Sequence, residues 1–254
     1  MNLILLDAAD VAGDGRVHLG DSRAVHLLRV VQVERGRSVR VGIIDGPVGT
    51  GTVVDVAADA VTLQCQFAEL PPRPPVDLLL AVPRPKVLRR LWSQLAALGV
   101  DRIILTNAAR VERNYFDTHV LTPECYRPLL VEGLQQARDT RLPKVSIHRQ
   151  FKVLIEDHLE GLFPNGREGS GGRRLVADPA AKKGAADAVR AGVDERILLA
   201  VGPEGGWNDF EMALLEAHGF EACGMGARTL RSDTACVALL AIVHDAMRSS
   251  HPRV

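Results

Sequence analysis

Two stretches decide the fold class of this chain: LLAVGPEGGWNDFEMALLEAHGF, residues 198–220, and GMGARTLRSDTACVALLAIVHDAM, residues 224–247. Each predicts a path from a short apolar strand through a glycine-containing turn into a helix. A glycine at a strand end lets a ligand touch the backbone, because no Cβ intervenes. Open α/β sheets bind ligands at the carboxyl ends of their strands, so the two turns together predict one small-molecule pocket.

Strands and helices alternate from residue 76 onward. Apolar strands in alternation with helices indicate a mostly parallel sheet that is covered on both faces. Asn208 is the predicted N-cap of the helix after GPEGG, with Glu211 completing a capping box and Gly219 ending the helix. The predicted strands are VDLLLAV, RIILT, KVSIH, LVAD and ILLAV, and the predicted helices cover 86–98 and lie near 124–138, 151–161 and 181–191.

Residues 1–67 carry a different pattern. RSVRVGIID, GTGTVVDVAA and AVTLQCQFA are short runs with partial alternation, which is typical of strands. Before them, SRAVHLLRVVQVERG predicts a short helix that ends near Gly36, and several short strands with one helix form a small barrel. The proline-rich segment AELPPRPPVD, residues 68–77, favours extended polyproline geometry, so we place the domain junction there.

Composition limits the classes of protein to which the chain can belong. The net charge is zero, but counts of Lys and Arg against Asp and Glu give −3 for residues 1–70, +7 for 71–153 and −4 for 154–254. A basic middle third can supply phosphate contacts, or it can be an ordinary solvated helix face. The four cysteines show no CxxC spacing, which argues against zinc and against a disulfide framework and fits a reducing cytoplasm.

No membrane or secretory segment is expected. No uninterrupted apolar run approaches the ~20 residues of a membrane span, and the N-terminus lacks the basic region of a signal peptide. A P-loop is absent, and no G-x-G-x-x-G follows the first strand, so a dinucleotide enzyme is disfavoured.

The C-terminal stretches also carry a resemblance. GPEGG, then one helix, then Gly226-Ala227-Arg228-Thr229-Leu230-Arg231-Ser232-Asp233-Thr234-Ala235, resembles the C-terminal signature of the SPOUT-superfamily RNA methyltransferases. Within that superfamily the chain is most similar to the family that methylates N3 of a uridine in 16S ribosomal RNA. The string His26-Leu27-Leu28-Arg29-Val30 and the spacing Gly36…Val39…Val41 resemble the N-terminal PUA-like domain of the same family.

The resemblance implies an architecture that periodicity alone does not predict. It implies a PUA-like RNA-binding β-barrel over 1–70 and a SPOUT α/β methyltransferase domain over 76–254. A deep trefoil knot at about 195–240 would hold S-adenosylmethionine in a bent shape. The family further implies a homodimer that acts in the cytoplasm on 16S ribosomal RNA in the assembled small subunit, without metal.

Cofactor-binding and catalytic residues are carried over position by position. Glu204 and Arg231 are the implied catalytic residues, Arg231 as the cation that stabilises a uracil anion. Glu204 could instead be a turn residue, Arg228 could pin the knot, and Ser232 and Thr234 could cap the last helix. The expected cofactor-binding residues are Val201, Gly202, Pro203, Gly205, Met225, Gly226, Leu230, Ser232 and Thr234.

RNA-binding residues are expected in two places. His26 and Arg29 belong to the N-terminal region, where a lone His-Arg pair is equally an ordinary surface pair. Lys86, Arg89 and Arg90 lie opposite the apolar face of the helix at 86–98, where each could neutralise a phosphate.

Two departures from the family pattern concern the choice of target. The helix at 86–98 usually ends in Glu-Leu-Gly but here reads Ala97-Leu98-Gly99, and Gln135 replaces a usual Glu before Gln136-Ala137-Arg138. Both lie in the substrate half. The alternatives are therefore a SPOUT methyltransferase with a different RNA target, and a non-catalytic RNA-binding or ribosome-assembly protein.

Overall fold

The computed structural model describes residues 3–164, 172–190, 196–226 and 228–250. The chain divides into two compact units. The first unit contains residues 1–73 and 128–142, and the second contains 74–127 and 143–254. Two positions of the sequence predictions, residue 191 of a helix and Ala227 of the second glycine turn, lie outside the described residues.

The first unit is built on a curled five-stranded sheet in the order β1-β3-β4-β5-β2. All pairings are antiparallel except β1 with β3. The alternation predicted for 38–69 is confirmed, because buried residues such as Val41, Val53, Leu63 and Cys65 point to one core. The strands are β1 Ile4–Leu6, β2 Arg16–Leu19, β3 Ser38–Ile43, β4 Val48–Val56 and β5 Val61–Glu69.

A short helix closes this core. It begins as α1, Ser22–His26, and continues as a π-helical turn over Leu27–Val31. It begins where the Asp21 carboxylate accepts the Arg23 amide, and it ends at Gln32, which is left-handed. The predicted end near Gly36 is therefore too late by about one turn.

Residues 128–142 join the first unit through a close backbone approach. The buried Thr140 donates its hydroxyl to the Gly46 carbonyl at 2.6 Å, and the Asp45 amide donates to the Thr140 carbonyl at 2.8 Å. A Cβ on Gly42 would lie 2.5 Å from the Thr140 methyl carbon, so this glycine lets the segment pack against β3.

The second unit contains a six-stranded, wholly parallel sheet in the order β11-β9-β10-β6-β7-β8, as the alternation predicts. Its central strand β6 is buried at every position, which explains its unbroken apolar run. The strands are β6 Val76–Ala81, β7 Val100–Thr106, β8 Lys144–His148, β9 Arg173–Ala177, β10 Ile197–Val201 and β11 Phe220–Cys223.

The helices follow the predicted pattern with small shifts in their bounds. The capping box at the start of α7 is confirmed: Asn208 accepts the Glu211 amide at 2.8 Å, and Glu211 accepts the Asn208 amide at 2.9 Å. None of the described helices is long and apolar enough to cross a membrane. The helices are α2 Pro85–Ala97, α3 Pro123–Ala137, α4 Phe151–Val153 continuing through a π-helical turn at Leu154–His158 into α5 Leu159–Leu162, α6 Ala185–Arg190, α7 Asp209–Ala217 and α8 Ser232–Ser250.

Candidate functional site

A cavity lies at the carboxyl ends of β9, β10 and β11, the edge where the two glycine-containing turns meet. It encloses about 610 Å³ of empty space, including the part that is open to solvent, which lies in the range of small-molecule sites. Its walls come from the segment 177–179, from 201–204, 206 and 207 of the first turn, and from 223–226, 228–230 and 232 of the second, together with Ala235 and Leu239 from α8.

The backbone shape of the cavity depends on two glycines. A Cβ on Gly202 would lie 3.0 Å from Nε1 of Trp207, so the indole packs directly on the strand end. Gly226 has a φ of +117°, a conformation that side chains rarely adopt, and the space beside it is open. Gly202 therefore permits the close approach of the indole, and Gly226 supplies a backbone conformation that favours glycine.

Two buried polar atoms in the cavity wall lack a partner. Among the described residues, neither Nε1 of Trp207 nor Oγ of Ser232 has a hydrogen-bond partner, although both atoms are buried. The Ser232 hydroxyl therefore does not cap α8. A buried polar group without a partner costs about 1–3 kcal/mol, which a ligand atom in the cavity can recover.

Most of the predicted cofactor residues come together in this cavity. Gly205 and Thr234 do not line it, and the Thr234 hydroxyl instead contacts the Asp233 carboxylate at 3.4 Å. The residues that do line it are Val201, Gly202, Pro203, Met225, Gly226, Leu230 and Ser232.

The two arginines of the second turn are placed differently. Arg228 lines the cavity, whereas Arg231 does not, and both are exposed. Neither has an ion-pair partner among the described residues. In the part of the chain that the structure describes, no acidic side chain pairs with Arg228, and its role as a pin of the knot stays an open alternative.

A cysteine in the cavity wall bears on the chemistry that the site can perform. Burial raises the pKa of the Cys223 thiol to about 12, so this thiol stays neutral at physiological pH. A neutral thiol is a poor nucleophile, which excludes a resting thiolate at this wall.

A second, smaller cleft adjoins the cavity and shares Pro203 and Glu204 with it. It encloses about 370 Å³ of empty space, again including solvent-open space. Its floor is apolar, and its rim carries charged and phenolic groups. The lining residues are Val82, Pro83, Arg84, Arg110, Val111, Glu112, Tyr115, Pro203 and Glu204.

The rim groups of the cleft pair with one another. Arg84 forms an ion pair with Glu204 at 3.5 Å, and the Tyr115 hydroxyl donates to Oε1 of Glu112 at 3.0 Å. Arg110 donates to the Gly205 carbonyl. Desolvation and the bond to Glu112 raise the pKa of Tyr115, so its hydroxyl remains a hydrogen-bond donor.

Glu211 fixes the loop that carries Arg110. Its carboxylate is buried, and besides the Asn208 amide it accepts the Ala109 amide at 2.7 Å. The capping box of α7 therefore also ties the loop after β7 to the GPEGG turn. The geometry of the cleft depends on this buried carboxylate, although Glu211 does not line it.

The predicted RNA-binding residues are spread over both units. On α2 of the second unit Lys86, Arg89 and Arg90 are exposed, and Arg90 forms an ion pair with Asp233 at 3.3 Å. In the first unit Arg29 is exposed, whereas Nε2 of His26 is buried without a partner in the described chain, and desolvation lowers the pKa of His26.

Several lining residues were not predicted from the sequence. Asp178 follows a buried strand directly, a position where a polar side chain indicates a ligand site. Trp207 directly follows the GPEGG turn, and this position could have identified it as a lining residue. Arg84, Arg110 and Tyr115 come from two loops whose sequences give no such signal. Among the described residues, no cluster of three or more His, Cys, Asp or Glu side chains could hold a metal ion.

Comparisons with known proteins agree on one family. A family model described as an RNA methyltransferase domain matches residues 70–244. Ribosomal RNA small subunit methyltransferase E of Treponema pallidum is 31% identical over 249 residues, which cover 96% of this chain and 90% of that relative. Ribosomal RNA small subunit methyltransferase E 1 of Borreliella burgdorferi is 22% identical and covers 94% and 95% of the two chains.

One solved structure shows the same fold along almost the whole chain. It is ribosomal RNA small subunit methyltransferase E from Neisseria gonorrhoeae bound to S-adenosyl methionine. The match has a TM-score of 0.74 at 18% identity and covers 98% of this chain and 97% of that chain.

Proposed function

Since the chain belongs to the RNA methyltransferase family, we propose that it transfers a methyl group from S-adenosylmethionine to N3 of a uridine in 16S ribosomal RNA. The relatives from Treponema pallidum and Borreliella burgdorferi are both named ribosomal RNA small subunit methyltransferases. The observation that carries the proposal is the glycine-lined cavity with two unpartnered buried polar atoms, in a chain of this family.

S-adenosylmethionine fits the groups that line the cavity. The indole Nε1–H of Trp207 and the hydroxyl of Ser232 supply a donor and a donor–acceptor for its polar atoms. Glycines at 202 and 226 let an adenine or ribose approach the backbone, and Leu230 and Leu239 offer apolar contact. The Asp178 carboxylate can accept hydrogen bonds from a ribose diol.

The chemistry requires that the protein remove one proton and stabilise one negative charge. When bound, S-adenosylmethionine supplies an electrophilic methyl group and leaves as S-adenosylhomocysteine, with the electron pair of the broken C–S bond on sulfur. Glu204, which lines both the cavity and the cleft, accepts the N3 proton of the uracil. The nitrogen electron pair then forms the new N–C bond.

The anion that arises needs a cation beside the uracil carbonyls. We assign this role to Arg231, which is exposed and has no ion-pair partner in the described chain. Arg228 is the second candidate, because it lines the cavity. A positioning role toward the cofactor suits Arg228 better, since its side chain faces the space where the donor binds.

The finer architecture is part of the same proposal. Residues 1–70 would act as a PUA-like RNA-binding barrel with His26 and Arg29 on its RNA surface, and Lys86, Arg89 and Arg90 would contact phosphates. The domain over 76–254 would carry a trefoil knot at about 195–240 and form a homodimer. The curled sheet of the first unit and the parallel sheet of the second fit the barrel and the α/β domain of this proposal. The proposal also expects the enzyme in the cytoplasm, on assembled small subunits.

Mass spectrometry of 16S ribosomal RNA tests the proposal directly. RNA from cells that lack this protein should lose one N3-methyluridine, and the purified chain with S-adenosylmethionine should restore it on isolated small subunits. Restoration of a different modification would support another RNA target. Binding to the subunit without methyl transfer would support a non-catalytic assembly role.

A further inference from the structure

We propose that the cleft beside the cavity is the acceptor site, and that it selects a base with an imide edge through Arg84, Glu204 and Arg110. The proposal rests on the proposed function and names the residues by which the same site recognises its target. Arg84, Arg110 and Tyr115 then become specificity-determining residues.

The cleft lies directly beside the cofactor cavity. Methyl transfer requires donor and acceptor atoms about 3–3.5 Å apart and in line, so the acceptor base must occupy space that adjoins the cofactor cavity. Of the residues that line the cleft, Pro203 and Glu204 also line the cavity. A base in the cleft therefore has its reacting edge at the shared wall.

The shape of the cleft suits a planar ring. Val82, Val111 and Pro203 form a buried apolar floor that can cover one face of a base. Tyr115 stands on the rim, and its hydroxyl is held by Glu112 at 3.0 Å. A fixed aromatic ring beside an apolar floor is the usual way in which proteins hold an unstacked RNA base.

Hydrogen-bond chemistry distinguishes the bases. The imide edge of uracil presents O2, N3–H and O4, which is the order acceptor, donor, acceptor. The matching protein edge needs donor, acceptor, donor. Arg84 contacts the Glu204 carboxylate at 3.5 Å, and Arg110 bonds the carbonyl of the next residue, so two guanidinium donors lie near one carboxylate acceptor.

Cytosine does not match this order of hydrogen-bond donors and acceptors. Its N3 is an acceptor and would face the Glu204 carboxylate, and its exocyclic amine is a donor and would face a guanidinium. A site whose polar groups are left unpaired by the wrong base discriminates strongly against that base. The cleft therefore favours uracil-type bases over cytosine-type bases at the step where the base enters.

Arg84 is the best position for a test, because its side chain has no structural task in α2. Its backbone carbonyl accepts the Val87 and Leu88 amides, while its side chain makes no cap hydrogen bond. The side chain is also largely exposed. Arg84→Gln therefore leaves the start of the helix intact, and it removes from the cleft both the guanidinium and its ion pair with Glu204.

The experiment measures methyl transfer to small ribosomal subunits isolated from cells that lack the protein. Arg84→Gln should lower kcat/KM roughly 10- to 100-fold, the range of one good bidentate base contact. Arg84→Lys, which keeps the charge, should recover a large part, and Tyr115→Leu should raise KM more than it lowers kcat. Arg113→Gln is the matched control, since Arg113 belongs to the same turn as Tyr115 but does not line the cleft.

Two further readouts separate recognition from structure. The affinity for S-adenosylmethionine, measured by calorimetry, should stay within twofold of wild type in Arg84→Gln. The activity deficit of that variant should narrow as the pH rises from about 7 to 9. Arg84 is a second cation at the uracil edge besides Arg231, and its contribution matters less once the solvent pH itself ionises the imide.

The outcomes are distinguishable. Wild-type transfer with equal kcat/KM for Arg84→Gln and Arg113→Gln would overturn the acceptor-site proposal and leave the proposed function standing. A deficit that stays constant with pH and is not recovered by Arg84→Lys would also overturn it. Absence of methyl transfer by the wild-type chain would instead remove the proposed function, and the acceptor site with it.

Discussion

The cavity and the cleft share Pro203 and Glu204, yet their polar groups are arranged in opposite ways. In the cavity, Nε1 of Trp207 and Oγ of Ser232 have no partner among the described residues. In the cleft, Arg84 and Tyr115 are each paired with a neighbouring carboxylate. Unpartnered buried groups give affinity when a ligand arrives, whereas paired groups must exchange partners and so give selectivity.

Glu204 belongs to both sites, and its removal gives the largest expected effect. Glu204→Gln keeps the size of the side chain but removes the proton acceptor, so kcat should fall about 10²- to 10⁴-fold. Methyl transfer to isolated subunits measures the loss, with Glu216→Gln on α7 as the matched exposed control. If both variants retain wild-type kcat, Glu204 is a turn residue and the two sites have no shared catalytic group.

The two arginines of the second turn differ in position, because Arg228 lines the cavity and Arg231 lines neither the cavity nor the cleft. Arg231→Gln should lower kcat about 10²- to 10³-fold with little change in melting temperature, as expected for a lost charge-assisted contact in the transition state. Arg228→Gln should mainly weaken the binding of S-adenosylmethionine, because Arg228 lines the cavity. Kinetics and calorimetry on both variants separate the roles, and a reversed pattern would exchange the two assignments.

Ser232 offers a test of the unpartnered groups. Ser232→Ala removes a buried hydroxyl that has no partner in the described protein, so the ligand-free form should become as stable as wild type or more stable. Affinity for S-adenosylmethionine should nevertheless fall about 2- to 10-fold, the value of one neutral hydrogen bond.

Thermal melting with and without S-adenosylmethionine measures both effects, namely the unchanged or higher stability of the ligand-free protein and the lower affinity for the ligand. Ser93→Ala is the control, because the Ser93 hydroxyl contacts only the Arg90 carbonyl, at 3.5 Å on the surface of α2. Unchanged affinity in Ser232→Ala, or a large loss of stability, would show that the hydroxyl serves the fold and not the ligand.

Basic residues on α2 give the smallest expected effect. Replacing Lys86, Arg89 and Arg90 with Gln should flatten the salt dependence of RNA binding by roughly 0.7–0.9 log units per lost phosphate contact. Arg90 forms an ion pair with Asp233 at 3.3 Å, so we expect it to contribute less to the salt dependence of RNA binding than Lys86 or Arg89. The affinity for S-adenosylmethionine should not change. If the triple variant keeps the wild-type salt slope, these three side chains form an ordinary solvated helix face and do not contact phosphates.

The cavity was predictable from the sequence because it is made of backbone. Glycines at strand ends have a local signature, and the same holds for the capping box of Asn208 and Glu211. Gly205 belongs to the GPEGG turn but does not line the cavity. It instead packs against the Arg110 side chain, which a Cβ at this position would meet at 2.8 Å.

The cleft was not predictable because it is made of side chains from separate loops. Arg84, Arg110 and Tyr115 are ordinary surface residues in one-dimensional patterns. Their loops meet the GPEGG turn through contacts between residues far apart in sequence, namely Ala109 with Glu211, Arg84 with Glu204 and Arg110 with Gly205. The strands β1 and β2 were missed for another reason. They contain three and four residues, too few for alternation to be recognised, and their pairing partners lie far along the chain.

The central strand β6 has a consequence for the synthesis of the protein. All six of its residues are buried, and it pairs on one side with β7 and on the other with β10. β10 follows about 120 residues after β6. At 5–20 residues per second, translation leaves one edge of this apolar strand unpaired for roughly 6–24 s. During that interval the nascent chain presents an open template for aggregation, which makes shielding by a chaperone most valuable between the two halves of the sheet.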